Sequence, residues 1–160
     1  MRKKDKEIND RKILDSIIHN AEICHLACCL NDQPYVIPIS FGYDGKTIYF
    51  HTARAGKKNK IFLKNPQVCL GFETNINLIT DQDDACDWTF DFQSVIATGE
   101  IKEISDPDLK SFGLNQIMLH YSNKNWDIPQ EEIRKARTWQ VRIDTITGKR
   151  SPAITSTEEE

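Results

Sequence analysis

Two apolar runs, residues 23–30 (ICHLACCL) and 34–43 (PYVIPISFGY), are separated only by Asn31-Asp32-Gln33. So short a polar turn joins antiparallel strands but cannot carry the crossover that parallel strands need. The next junction is equally tight, with Asp44-Gly45 supplying a hairpin turn into residues 46–52 (KTIYFHT). In the second run Tyr35, Ile37, Ile39 and Phe41 share one face. Pro38 cannot donate a ladder hydrogen bond and belongs at an edge or a bulge. Antiparallel pairing therefore governs the first third of the chain, and a parallel β-α-β architecture is excluded there.

The remaining pattern is consistent with this start. Ile13, Leu14, Ile17, Ile18 and Ala21 recur at helical spacing behind Asp10, a suitable N-cap. A short helix beyond Gly56 should stop at Asn65-Pro66, because proline disfavours helix in the residue before it. Residues 67–74 (QVCLGFET) read as a strand, and 75–86 (NINLITDQDDAC) as an irregular polar excursion at the surface. Residues 92–104 form a long strand in which Gly99 marks a bend or bulge. Asp106-Pro107 opens a helix whose buried stripe is expected at Leu114, Ile117, Met118 and Tyr121. Residues 138–150 make a last strand with Trp139, Val141 and Ile143 inward. Five or six strands with about three helices give a mostly β chain of the α+β class. With no repeat or linker, residues 1–150 are expected to form one domain and residues 151–160 a flexible tail.

Composition removes several functions. A net charge of -3 over 160 residues lacks the basic excess of a phosphate-tracking protein, so no nucleic-acid partner is expected. No apolar stretch approaches the roughly 18 residues that span a membrane, and the charged N-terminus is not a secretory signal. Five cysteines without a targeting segment read as reduced thiols in a cytoplasmic protein. Strand alternation puts Cys24 and Cys28 on one face and His25 with Cys29 on the other, while Cys69 and Cys86 stand alone. The paired knuckles of a metal site are absent. So are a Gly-x-Ser-x-Gly elbow and a His-Glu-x-x-His pair.

Chemistry concentrates in residues 49–67 (YFHTARAGKKNKIFLKNPQ). Lys57, Lys58 and Lys60 stand at the front of a helix, where the macrodipole disfavours cations unless an anion is present. Helix-start N–H groups, the close approach allowed by Gly56, the Thr52 hydroxyl and the two leading lysines together suit a phosphate monoester. A solvated lysine-rich helix is the competing reading. A P-loop is excluded, since Gly is needed where His51 stands and Ser or Thr where Lys58 stands. His51, at the end of an aromatic strand, can contact a ligand or transfer a proton. Trp88 could cover a flat ligand, and Ser94 could bond the edge of a heterocycle.

Residues 34–73, 85–100 (ACDWTFDFQSVIATGE) and 142–150 (RIDTITGKR), in this order and spacing, resemble the nitroimidazole-resistance-type branch of the pyridoxamine 5′-phosphate oxidase-like flavin-binding proteins. The resemblance implies an FMN-binding split β-barrel with flanking helices, forming a homodimer that holds FMN at the subunit interface. Carried over by position, Ile37, Pro38, Ile39 and Ser40 match the strand lining the flavin ring. His51 and Thr52 match the strand end beside the flavin, and Lys57 and Lys58 the basic pair on its phosphate. Ser94 and Val95 match the strand that borders the ring from the partner subunit. Trp88 resembles the branch's Cys-Asp-Trp element, and Lys149 lies in its Thr-Gly-Lys-Arg ending. His51 also resembles the histidine on the flavin's substrate side and is the expected proton-transfer residue. Two departures stand out. Asn59-Lys60 follow the basic pair where relatives carry an acidic residue, and the Arg-Gln-Val-Arg pattern of true pyridoxamine phosphate oxidases is missing. The expected activity is FMN-dependent reduction of a small organic acceptor such as a nitro-aromatic. A non-catalytic flavin- or haem-binding sensor or storage module is the alternative, and FAD, a deazaflavin and haem rank behind FMN as cofactor.

Overall fold

The computed structural model describes residues 4–152. Strand β1 (Glu7–Ile8) precedes helix α1 (Arg11–Asn20), followed by strands β2 (Cys24–Leu30), β3 (Gln33–Ile39), β4 (Gly42–Tyr43) and β5 (Thr47–Thr52). Helix α2 (Lys57–Lys64), strand β6 (Gln67–Ile79) and strand β7 (Thr89–Glu103) come next. Helices α3 (Pro107–Ser122) and α4 (Gln130–Lys135) lead into strand β8 (Arg137–Ser151). Every strand pairing is antiparallel. The sheet runs β3-β2-β6-β7-β8-β5-β4, with β1 added on β8. It does not close, because β3 and β4 remain its two ends. The architecture is the mostly β split barrel with flanking helices that the sequence implies.

Local chemistry explains the elements. Asp10 accepts from Lys12 N at 2.8 Å and caps α1, which buries Leu14, Ile17 and Ile18. Asp106 accepts from Leu109 N at 2.8 Å and caps α3, with Pro107 at its first position. Pro38 lies on the edge strand β3, where its missing N–H disrupts no second ladder. The β7–β8 register shifts between Thr98 and Gly99, the bulge that Gly99 foretold. The core inside the sheet is aromatic, with Phe41, Phe50, Phe72 and Trp139 all essentially excluded from solvent. Phe62 of α2 meets Phe50 and Trp139 edge-on, with ring centroids 6.1 and 5.2 Å away.

Four expectations need correction. Residues 75–86 are not irregular throughout. β6 continues to Ile79 and β7 begins at Thr89, so 75–91 form a projecting hairpin arm past a register shift between Thr74 and Asn77. The stripe on α3 is narrower than expected: Ile117 is buried, Leu114 and Met118 are half-buried, and Tyr121 is exposed. The close contact comes instead from Gly113, where a Cβ would stand 2.9 Å from Tyr49 Cδ1. The Tyr121 hydroxyl serves a polar purpose, donating to Glu22 O at 2.8 Å and accepting from Phe41 N at 3.3 Å. Finally, two two-residue strands and α4 raise the element count above the sequence reading. At the C-terminus, Ser151 is a buried part of β8, and residues 153–160 of the expected tail lie outside the described residues.

Candidate functional site

The end of β5 and the start of α2 form one built unit. Thr52 is buried, and its hydroxyl donates to Asn59 Oδ1 at 3.0 Å while accepting from Trp139 Nε1 at 3.0 Å. Asn59 Nδ2 in turn donates to Ala53 O at 2.7 Å, which fixes the loop of residues 53–56 against the helix. Asn59 is thereby a buried organiser of the loop. Gly56 occupies the N-cap at φ 135°, a conformation that strongly favours glycine, and no side chain caps the helix. No acidic residue lies in its first turn. The leading N–H groups of α2 are therefore left for solvent or a ligand, with Lys57 and Lys58 beside them. Lys57 Nζ lies 4.6 Å from the centroid of the Tyr35 ring, which links this helix start to β3.

His51 is exposed and lines a cavity of about 360 Å³ with Leu114, Ile117, Met118, Ile128, Glu132 and Lys135. Arg54 ties the loop to the other wall of this cavity, donating to Lys135 O at 3.2 Å and Arg134 O at 3.1 Å. Thr138 pairs with His51 across β5 and β8, which puts both on one sheet face. It is fully buried, and its Oγ1 has no hydrogen-bond partner among the described residues.

A second set of the sequence-selected residues is joined by the sheet itself. Pro38 pairs with His25, and His25 with Gly71. His25 Nδ1 meets Glu73 Oε2 at 3.3 Å. Glu73 pairs with Ser94, and Ser94 with Lys149. A polar band thus crosses five strands on the outer face and links three of the selected positions, Pro38, Ser94 and Lys149. His25 and Glu73 are its new members. Alternation along β2 places His25 outward, but nothing local in the sequence connects it to a carboxylate 48 residues away. Lys149 Nζ also sits 5.3 Å from the Phe92 ring centroid.

The other positions divide. Ile37 and Ile39 turn toward the core and Ser40 is exposed at the end of β3. Val95 is wholly buried in a strand paired on both sides, with Phe72 and with Gly148, so in the single chain it offers a ligand neither side chain nor backbone, contrary to the expected binding role. Trp88 stands on the β6–β7 arm, half exposed, with Nε1 donating to Asp81 O at 2.6 Å. No hydrogen bond or ring contact joins it to the other selected residues among those described. Thiol chemistry finds no support: all five cysteines are free, and burial pushes the Cys24 and Cys28 thiols up, which keeps them protonated. No group of three or more His, Cys, Asp or Glu among the described residues could hold a metal. No helix among them is long and apolar enough to cross a membrane.

Set beside known proteins, residues 10–150 match the family model described as pyridoxamine 5′-phosphate oxidase. The chain belongs to this family. A proposed 5-nitroimidazole antibiotic resistance protein from Bacteroides thetaiotaomicron VPI-5482 is similar in structure with a TM-score of 0.79 and 30% identity, over 89% of this chain and 85% of that one. A FAD- and haem-binding protein from Mycobacterium smegmatis shares the fold, with a TM-score of 0.77 at 14% identity over 92% of this chain and 74% of that chain. An uncharacterized protein of Rhizobium meliloti (strain 1021) is 30% identical over 63 residues, which is 39% of this chain and 41% of that curated relative's length. The family assignment agrees with the resemblance drawn from the three sequence segments, and the nitroimidazole-resistance relative falls in the same branch.

Proposed function

We propose that this protein is an FMN-dependent reductase of a small organic acceptor, of which a nitro-aromatic is the leading candidate. The observation that carries this reading is the start of α2. Asp10 and Asp106 cap α1 and α3 through side chains, whereas α2 opens with Gly56, has no side-chain cap and places Lys57 and Lys58 in its first turn. Uncapped N–H groups with adjacent cations fit a terminal phosphate, and no side chain among the described residues caps them. FAD, a deazaflavin and haem remain the competing cofactors.

Each residue then has a physical task. Lys57, Lys58 and the α2 N–H groups hold the phosphate, while Thr52 and Asn59 keep the loop in its binding shape. The Thr52 proton is already given to Asn59, so its part is positioning rather than donation. β3 offers backbone groups along its free edge, from Ile37 to Ser40, to the rim of a flat heterocycle. Ser94, Lys149 and Trp88 complete the pocket from a second copy, in a homodimer with the cofactor at the subunit interface, and Val95 supports that strand from the core. Bound FMN would supply the electron transfer, and the protein supplies binding, orientation and electrostatics. His51, exposed at the 360 Å³ cavity, holds or delivers a proton from an imidazole nitrogen to the acceptor placed there.

The deciding experiment is the absorption spectrum of gently purified protein, with mass analysis of the released ligand. A two-band flavin spectrum and the mass of FMN are expected. Colourless protein to which added FMN does not bind overturns the reading, and a Soret band favours the haem-binding alternative. Steady-state reduction of nitro-aromatics with nicotinamide donors then separates a catalyst from a carrier.

A further inference from the structure

A second cationic site lies apart from the start of α2. Arg54, Lys110, Arg134 and Arg137 line one cavity of about 320 Å³, and Glu103 is the single carboxylate in its wall. These cations come from the loop after β5, the first turn of α3, the end of α4 and the start of β8. Lys57 and Lys58 do not line it.

The charges in this cavity do not balance. Glu103 is already engaged, accepting from Arg137 Nε at 3.0 Å and from Nη2 at 2.6 Å. That bidentate pair cancels one cation. Arg54, Lys110 and Arg134 form no ion pair among the described residues. The two acids of α4, Glu131 and Glu132, pair with Lys135 instead, at 2.7 and 3.1 Å. Asp106 is committed to its cap on Leu109 N.

Neutral groups hold the cations together. Arg54 donates to Lys135 O at 3.2 Å and Arg134 O at 3.1 Å, and Lys110 Nζ donates to Ala136 O at 3.2 Å. Arg137 Nη1 donates to Arg54 O at 3.0 Å. Carbonyls offer only partial charge, so three cations stay gathered in a concavity that concentrates their field. Donors are also left over. Arg54 Nη1 and the Arg134 guanidinium have no hydrogen-bond partner among the described residues.

The cavity adjoins the one that His51 lines. Ala136 belongs to the wall of both, so one elongated ligand can lie in the two together. The far part, lined by Leu114, Ile117, Met118 and Ile128, suits a flat ring of low charge. The near part suits a strongly anionic end. A terminal phosphate monoester carries about -1.5 to -2 charge at pH 7, more than either phosphate of a diphosphate bridge. Planar guanidinium groups also match phosphate oxygens in pairs.

We propose that Arg54, Lys110 and Arg134 bind the 2′-phosphate of a phosphorylated nicotinamide dinucleotide, whose other end extends past Ala136 into the His51 cavity. This rests on the reductase reading, because it names the electron donor that such an enzyme needs. Donor and acceptor then use the His51 cavity in turn. The phosphate contact itself requires no flavin.

The test is isothermal titration calorimetry of the ligand-free protein with NADP⁺ and with NAD⁺, oxidised forms that cannot react. Lys57→Glu with Lys58→Glu serves as the background, so that the α2 start takes no phosphate. NADP⁺ is expected to bind about tenfold or more tightly than NAD⁺, and Arg134→Gln with Lys110→Gln should bring the two affinities together. Thermal midpoints check the fold, and Arg134→Gln, which removes no hydrogen bond among the described residues, carries the test alone if the double variant fails to fold. Equal affinities in the background overturn the proposal, as does failure of either dinucleotide to bind, or a preference that survives Arg134→Gln at full strength. A preference seen in the wild-type chain but lost in the background moves the phosphate to α2 and overturns the assignment. NADP⁺ preference in a protein that binds no FMN supports the site while counting against the reductase reading. FMN binding without the preference does the reverse.

Discussion

Trp139 Nε1 donates to Thr52 Oγ1 at 3.0 Å across neighbouring strands β8 and β5, and the same hydroxyl donates onward to Asn59 at 3.0 Å. The indole sits in the aromatic core, so this relay anchors the loop before α2 to the most rigid part of the fold. Thr52→Val keeps the shape but leaves the indole N–H and the Asn59 carbonyl oxygen without their partner. Each buried group left unsatisfied costs about 1–3 kcal/mol. A lower denaturant midpoint and weaker FMN binding are expected together. Weaker binding with unchanged stability would mean that Thr52 touches the ligand instead.

Lys57 and Lys58 should behave differently. They are surface cations with no ion pair among the described residues, so the fold owes them little. A charge-assisted contact contributes about 1.5–3 kcal/mol. Lys57→Glu with Lys58→Glu is therefore expected to weaken FMN binding by roughly 100-fold or more, while the melting temperature of the ligand-free protein stays nearly constant. Flavin fluorescence quenching measures the first and calorimetry the second. Unchanged affinity removes these lysines from the site.

Thr138 Oγ1 is buried beside His51 with no hydrogen-bond partner among the described residues. Its desolvation costs about 1–3 kcal/mol, and valine has nearly the same shape. Thr138→Val should raise the stability of the ligand-free protein by up to this amount in urea unfolding. Any loss of stability would show that the hydroxyl is satisfied in solution. A slower reduction rate in the more stable variant would identify it as a group reserved for the ligand or for orienting His51.

His120 carries a pH dependence. Burial lowers its pKa below the ordinary 6.5, against the bond between Nε2 and Ala21 O at 2.9 Å, and His19 adds to the lowering. The aromatic rings of Phe41 and Tyr121 pack against it, with centroids 4.3 and 4.6 Å away. The folded state therefore binds the proton less readily than the unfolded chain. Its contribution to stability is complete above about pH 6.5, declines as pH falls through the folded pKa, and levels off below it. Denaturant midpoints at pH 8 and pH 5.5 should differ in that direction, and the difference should shrink in His120→Gln. An equal difference in the variant would assign it to other groups.

Legibility followed the range of the interactions. β2, β3 and β5 could be read directly, because tight turns and alternating apolar residues are local signals. The arm at 75–91 could not. Ile76 and Leu78 alternate with Asn75 and Asn77, but strand alternation normally pairs with a buried face, and here that face is exposed in the single chain. The stripe on α3 was overread because apolar residues at helical spacing predict burial only where a partner surface exists. The contact at Gly113 and Tyr49 makes α3 cross β5 on a narrower line. In the site, the lysine pair and His51 were visible as a cationic loop after a strand. The His25–Glu73 contact and the Thr52–Asn59–Trp139 relay join residues 48, 7 and 87 positions apart in sequence, beyond any local pattern.

The sequence by itself determined the antiparallel class, the restriction of Pro38 to an edge or a bulge, the irregularity at Gly99, the caps at Asp10 and Asp106, and the family. Each of these rests on residues close together in the chain, where backbone chemistry or motif order is sufficient. Tertiary structure alone decided that Val95 is sealed in the core, that Thr52 spends its proton on Asn59, and that Trp88 stands on an arm away from the lysines. Strand register and loop anchoring set those outcomes, and both depend on which distant partner a strand or side chain meets.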